Sequence, residues 1–228
     1  MSTVCAASGC ANAAARADCY CYGHRTRLRR YGHPLQQPVT ARDLAPFVCR
    51  IASRLPDDGE LRAILAERWS ALVSMVEAVR RSGTLPAPDG SPSSDRRASV
   101  QEWEAARRVL ITAETATAKA AADLVIGLAM LRAVEPDAFE DGDAFRFILA
   151  RRFFGLSPVN AARARRSGST TWRTYPPVVT LTVAGWLWSA FGEVAEAMAA
   201  HEAAEIAKAE ADRGRLRAAL ACLETTAA

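Results

Sequence analysis

The stretch CAASGCANAAARADCYCYGH, residues 5–24, decides how the first part of this chain folds. It holds four of the six cysteines and one of the three histidines in the sequence. Residues 1–34 show no apolar periodicity, so a hydrophobic core cannot be what folds them. In a chain without a signal-peptide pattern, clustered cysteines favour metal binding over disulfides. The stretch therefore predicts a small metal-stabilised module.

The spacing of the cysteines is typical of a zinc site. Structural zinc takes four thiolate or imidazole ligands in a tetrahedron, and two short ligand pairs can supply them. A C-x4-C pair and a C-x2-H pair are present, and the predicted Zn2+ ligands are Cys5, Cys10, Cys21 and His24. Cys19 is the alternative to Cys21 as the third ligand because it lies only two residues away.

A basic tail, RTRLRRYGHP at residues 25–34, follows the last ligand directly. Together with the cysteine pairs it resembles a recurrent zinc module of phage and mobile-element proteins. That module reads C-x4-C, then ARGLC-x2-H, then R-x-R-R-x-G-x-P, and it often precedes HNH-type nuclease or helix-turn-helix regions. The resemblance covers residues 5–34 only. Cys19 and Tyr20 stand where the family has Gly-Leu, which keeps two candidates for the third ligand.

The rest of the chain has the composition of a helical protein. Half of its 228 residues are apolar, which is enough for one or two modest cores. Ala, Leu, Arg and Glu dominate long windows, and β-branched clusters are scarce. We predict a mostly α fold in five parts: a zinc module at 1–34, a helical segment at 35–82, a linker at 83–98, a helical domain at 99–183, and a long C-terminal helix, typical of a coiled coil, at 184–228.

Periodicity predicts the individual helices. Apolar residues recur at three- and four-residue steps over Thr40–Leu55 and Glu60–Arg81. Ser99 and Glu102 form an S-x-x-E capping box, which begins one long helix that runs past Leu131. Its seven-residue repeat favours close packing against another helix.

Residues 143–166 have the outline of a helix-turn-helix motif. A first helix ends near Gly155, and a second helix is predicted from Ser157 to about Arg166. The alternative is a packed core helix with a basic edge, because the first helix is apolar nearly all round. Farther along, Val178–Val183 is predicted either as a strand or as the start of the last helix.

Two basic segments could neutralise nucleic-acid phosphates. The candidate contact residues are Arg25, Arg27, Arg29, Arg30, Arg163, Arg165 and Arg166. The alternative for both segments is a solvated basic face, or pairing with acids elsewhere in the fold.

The C-terminal part carries large apolar side chains that could anchor a protein partner or a second copy of the chain. The candidate residues are Trp186, Trp188, Phe191, Leu216 and Leu220. The alternative is that the aromatic residues among them complete an intramolecular core.

These features favour a non-enzymatic protein. An HNH nuclease needs a metal-binding and a general-base histidine, and only His24, His33 and His201 exist here. No P-loop, G-x-S-x-G or dinucleotide-binding fingerprint is present. We expect a cytoplasmic, DNA-associated accessory protein of a phage or mobile element in a bacterial host, without a membrane segment. A recombination directionality factor acting on a large serine integrase is one form of it. An adaptor that binds only protein, or a transcription regulator, is the alternative.

Overall fold

The computed structural model describes residues 3–85, 96–163, 170–172 and 174–226, with side chains except at 161–163, 170–172 and 219–226. It is 72% helical, which confirms the predicted fold class. The α-helices are α1 (Tyr22–Tyr31), α2 (Ala41–Arg54), α3 (Glu60–Ser82), α4 (Val100–Ala113), α5 (Ala118–Val134), α6 (Gly142–Phe154) and α7 (Pro177–Thr226). Two antiparallel pairs of short strands join them: β1 (Thr84–Leu85) with β2 (Arg96–Arg97), and β3 (Ala161–Arg163) with β4 (Thr170–Trp172).

Helix α5 lies at the centre of the helical body. It contacts α2, α3, α6 and α7. Its residues from Val125 to Leu131 are all buried, so the helix has no solvent-facing stripe in this part. A helix that is apolar all round belongs in a core. Helices α2, α3, α4, α6 and α7 supply the other helical residues of this core.

Aromatic side chains join three helices on one side of this core. The ring of Trp69 on α3 meets Phe153 of α6 edge-on at 6.0 Å between centroids. The same indole stacks on Phe191 of α7 at 6.4 Å. These arrangements are the favourable ones for aromatic pairs, because they set the positive edge or offset face of one ring against the other.

The helix predicted from Ser99 past Leu131 is in fact two helices, α4 and α5. The capping box is confirmed, since Ser99 accepts from the Glu102 backbone and Glu102 accepts from the Ser99 backbone. The break follows from the threonines near residue 115, whose hydroxyls compete with helical backbone bonds. Thr117 caps α5 by accepting from the Ala120 amide. The seven-residue repeat therefore does not form one continuous seam.

The predicted helix-turn-helix is wrong in its second half. After α6, residues 158–160 form one 3-10 turn, and 161–163 form strand β3 instead of a helix. Asn160 is buried and donates to the Phe154 carbonyl at 2.9 Å, while Tyr175 donates to Asn160 at 2.8 Å. A side chain held inside by these bonds cannot read a base edge. The first helix of the predicted motif, α6, is a packed core helix, which confirms the alternative interpretation of this segment.

The predicted linker at 83–98 does not separate two cores. Its ends pair as β1 and β2, and Leu85 is buried. One hydrophobic cluster contains residues from α2 through α7, on both sides of this segment. Residues 86–95 lie outside the described part of the chain.

Residues 178–183 belong to α7, so the strand alternative there is wrong. Phe191 is fully buried and Trp188 packs edge-on against Phe145 at 5.3 Å, so these two residues complete the body's own core. The expectation that Phe191 anchors a partner is therefore wrong. Trp186 is half-buried against the same core. Leu216 is 64% exposed, and the side chain of Leu220 lies outside the described part of the structure.

One helix among the described residues, Pro177–Ala218 of α7, is long and apolar enough to span a bilayer by length and composition. In its most apolar 18-residue stretch, 44% of the residues are buried inside the protein. Core helices pass the same test, and α7 contacts α3, α4, α5 and α6. Part of its apolar surface is thus used in intramolecular packing.

A buried carboxylate marks the place where α7 leaves the body. The side chain of Glu202 is 2% exposed, and it pairs with Arg50 and with Arg54, the latter at 2.6 Å. Both arginines lie on α2 and keep part of their surface in water. From 204 to 218 the helix is mostly exposed. Up to residue 218, where the described side chains of α7 end, Glu202 is therefore its last buried polar attachment.

We expect the double substitution of Arg50 and Arg54 by Ala to destabilise the protein more than Glu202→Gln. The first leaves a buried carboxylate without a partner and should lower the free energy of unfolding by about 3 kcal/mol. The second removes the charge but keeps the shape, and should cost about 1 kcal/mol. Urea unfolding followed by circular dichroism measures both. Equal losses would show that the ion pairs do not hold α7.

Candidate metal centre

The N-terminal module is a ribbon of loops closed by backbone hydrogen bonds. Val4 forms an isolated antiparallel bridge with Ala13. The amide of Ala6 donates to the Cys19 carbonyl at 2.8 Å, which brings the two cysteine-bearing segments together. Gly9 adopts a left-handed conformation, with φ of 72°, in the turn just before Cys10. The ribbon thus returns the second cysteine toward the first.

Helix α1 supplies the other half of the cluster. Cys21 is its N-cap residue and His24 lies in its first turn. This spacing sets the two side chains on the same side of the helix start. No α1 residue is buried, so packing alone does not stabilise this ten-residue helix.

The four predicted ligands lie together. The ligand atoms of Cys5, Cys10, Cys21 and His24 are all within 4.8 Å of one another. His24 Nδ1 is 3.4 Å from Cys5 Sγ and 3.3 Å from Cys21 Sγ. The sulfurs of Cys10 and Cys21 are 4.0 Å apart. The cluster is therefore close enough to bind a metal ion.

The structure shows which of Cys19 and Cys21 belongs to the ligand cluster. Cys21 is buried, and its amide donates to Cys5 Sγ at 3.2 Å. Cys19 is exposed and takes no part in the cluster. The chain bends at residues 18–20, just before α1, and the two side chains therefore do not share one environment. Cys21 is the third member of the cluster, and the alternative with Cys19 is wrong.

The thiols of this cluster differ in acidity. Burial raises the pKa of Cys5, but hydrogen bonds from the backbone of Cys21 and Ala7, with those of His24 and Cys10, outweigh it and lower the pKa to about 6. For Cys10 a backbone hydrogen bond from Asn12 lowers the pKa, but burial and the adjacent sulfurs raise it overall. Crowded thiolates repel one another, and a bound cation offsets that repulsion.

Little apolar surface supports the module. Its buried cluster consists of Cys5, Ala7 and Cys21, with Leu35 and Tyr20 partly buried against it. Burial of so few groups cannot offset the conformational entropy of ordering about thirty residues. The Cys and His cluster is thus the feature best placed to supplement the hydrogen bonds that join the ribbon to α1.

The module docks on the body through the end of α1. Gly32, with φ of 79°, ends the helix, and its amide donates to the Leu28 carbonyl. A Cβ at Gly32 would lie 2.6 Å from the ring of Phe147 on α6, so only glycine permits this approach. Next along the chain, the buried amide of Gln36 donates to the Ala138 carbonyl and accepts from the Glu140 amide, both at 2.9 Å.

The predicted basic residues fall into two groups. Arg25 pairs with Asp18 at 3.7 Å. Among the described residues no carboxylate lies within ion-pair distance of Arg27, Arg29 or Arg30. The side chain of Arg163 and all of Arg165 and Arg166 lie outside the described part of the structure.

Two arginines that sequence reasoning missed lie beside α1. Arg151 and Arg152 are on α6, and Arg151 lies over the Tyr31 ring at 5.6 Å. Arg152 donates to the Val39 carbonyl. The sequence offered only the run of basic residues on a predicted helix as a signal, and it did not show which helix α1 would meet. Comparisons with protein-family models, curated proteins and solved structures found no match to this chain.

We expect Cys10→Ser to abolish metal binding and to unfold the module while leaving the helical body intact. The reason is that ligand binding and folding share one free energy in such modules. Elemental analysis of purified protein and amide exchange over residues 3–34 measure the two effects. Cys19→Ser is the matched control and should keep the metal. Loss of metal in the Cys19 variant would contradict the ligand assignment.

We expect Gly32→Ala to loosen the docking of the module on the helical body. Gly83→Ala is the control, because it strains the backbone without creating a contact with another side chain. Both glycines have positive φ, so alanine strains each backbone by about 1 kcal/mol. Only at Gly32 does a Cβ also meet Phe147, while nothing lies within 4 Å at Gly83. Proteolysis near residue 34 should therefore rise only in the Gly32 variant. Equal behaviour of the two would show that the Phe147 contact is not what matters.

Proposed function

We propose that the N-terminal cluster binds one Zn2+ as a structural ion. Tetrahedral zinc at about 2.3 Å from sulfur and about 2.0 Å from nitrogen places two sulfurs about 3.8 Å apart and a sulfur and a nitrogen about 3.5 Å apart. The observed separations of 4.0, 3.4 and 3.3 Å fit these values. Three protein thiolates and one imidazole leave no coordination position for a reactant, so the ion has a structural role.

The metal would present a basic helix to nucleic acid. The observation that carries this proposal is that Arg27, Arg29 and Arg30 follow the His24 ligand on one short helix without an ion-pair partner in the described residues. Like charges kept side by side repel one another, and binding a polyanion relieves the repulsion. Phosphates are the common partners of such arginines.

The function that these features support best is that of a non-enzymatic, DNA-associated accessory protein. The similarity of residues 5–34 to zinc modules of phage and mobile-element proteins agrees with this role. A recombination accessory role beside an integrase is one form of it. Zinc would fix the direction of α1, and its arginines would contact DNA phosphates without reading sequence.

A protein partner is a second candidate function, and it rests on α7. Beyond Glu202 the helix is exposed and carries Leu216 at 64% exposure. Isolated helical segments of this length are marginal without a packing surface. A helix from a partner would supply that surface, whether or not DNA is bound.

The DNA proposal predicts a specific loss of binding. Replacing Arg27, Arg29 and Arg30 with Ala should weaken duplex affinity at least tenfold and reduce the slope of log affinity against log salt by about two to three, since each phosphate contact releases counterions. Fluorescence anisotropy with a labelled 20-base-pair duplex at several salt concentrations measures both quantities.

The matched control replaces Arg81, Arg97 and Arg213, which are exposed and lie far along the chain from α1. It removes the same charge and should change affinity by less than threefold. Equal weakening in both triple variants would mean that only net charge matters. Absence of binding by the unaltered protein at low salt would refute the DNA proposal and leave the protein-partner function.

A further inference from the structure

Two hollows meet beside the docked module. The larger, about 570 Å3, lies between α2 and α6 and has Arg151 and Arg152 on one wall. The smaller, about 410 Å3, lies along α1 and has Arg27 and Arg30 in its lining. Tyr31 and Pro38 belong to both, so they form the ridge between the two hollows.

The lining of these hollows is basic, and Asp43, which acts on the charge of Arg152, lies outside it. Four arginines line them, and no Asp or Glu of the described chain does. Burial lowers the pKa of Arg151, and the charges of Arg30 and Arg152 lower it further, while Tyr31 acts in the opposite direction. Arginine nevertheless stays protonated in proteins. A half-buried cation with cationic neighbours is a favourable place for an anion.

The rest of the larger hollow is apolar. The other residues of its lining include the apolar side chains of Val39, Leu44, Val48, Ile148 and Leu156. The smaller hollow includes Tyr22, whose side chain is 74% exposed. A ligand that fits both features carries negative charge on one side and a flat, weakly polar group on the other. Nucleotides combine these two properties.

The concave shape of the two hollows favours single-stranded over double-stranded nucleic acid. A closed duplex is a convex cylinder whose bases are stacked inside, so it can offer only phosphates to such a hollow. An unpaired nucleotide can place its phosphate on the arginines and its base against the apolar wall or an aromatic ring. Successive nucleotides of one strand could lie on the two sides of the Tyr31–Pro38 ridge.

We propose that the groove formed by these two hollows binds a single strand of nucleic acid, with Arg30 and Arg151 on its phosphates and the apolar wall around Val48 on a base. This inference rests on the proposed nucleic-acid function, and it specifies that the nucleic acid bound is single-stranded. It adds the body of the protein to the binding surface, so the strand contacts both the zinc module and α6. Binding would then also favour the docked position of the module.

The test compares one 12-nucleotide single strand with the same sequence as a duplex, by fluorescence anisotropy over a range of salt. The unaltered protein should bind the single strand at least tenfold more tightly. Arg151→Gln should weaken single-strand binding and reduce its salt slope by about 0.7, the value for one phosphate contact on a single strand. Arg146→Gln is the control, since Arg146 lies on the same helix but lines neither hollow.

A second variant guards against loss of fold. Val48 is 45% exposed, so Val48→Trp can fill the hollow without disturbing the core, and it should abolish the single-strand preference while leaving duplex affinity unchanged. Val100→Trp, at a position 79% exposed on α4, is its control. Equal affinity for both forms, or no effect of Val48→Trp, overturns this inference and leaves the phosphate-binding function standing. Absence of binding to either form overturns both.

Discussion

Burial of residues 125–131 of α5 on all sides is the constraint on which the helical body depends. A helix without a solvent-facing stripe must be surrounded, and four other helices supply that enclosure. Their own apolar faces are then fixed in direction, because each must turn toward α5 or toward a neighbour that does. The aromatic contacts of Trp69 with α6 and α7 follow from this arrangement. The body is thus one core built from distant parts of the sequence.

The N-terminal module is not held together by a hydrophobic core as the helical body is. It has almost no apolar interior, so its order depends on four ligand side chains and on a contact at each end of α1. The start of α1 is held by Cys21 and His24, and its end is held against Phe147 at Gly32. A short helix held in this way keeps its basic side chains in fixed positions without burying them. Burial would hide the same charges from an anion.

The sequence predicted the parts of the structure that local chemistry controls. Cys5, Cys10, Cys21 and His24 were found because metal ligands need particular atoms at particular spacings. The Ser99 capping box was found because its hydrogen bonds are local. Cys19 and Cys21 could not be separated by spacing, since the choice depends on how the chain bends just before α1.

Tertiary context decided the remainder. One exception is local: the seven-residue repeat after Ser99 satisfied a helical pattern, yet Thr117 within it caps a new helix. The segment after Ser157 had helical composition, but burial of Asn160 favoured a tight turn and a strand. The groove at Tyr31 was invisible beforehand, because it is formed by elements about 120 residues apart. Patterns within one helix cannot reveal a surface that two helices create.

The attachment at Glu202 has a hydrodynamic consequence. Residues 203–226 continue as helix beyond it, and 24 residues at 1.5 Å each extend about 36 Å. That length exceeds the radius of gyration of about 17 Å expected for a compact chain of this size. In a monomer the projection raises friction without adding mass. The chain should therefore diffuse more slowly, and elute earlier from a sizing column, than a sphere of 24.5 kDa.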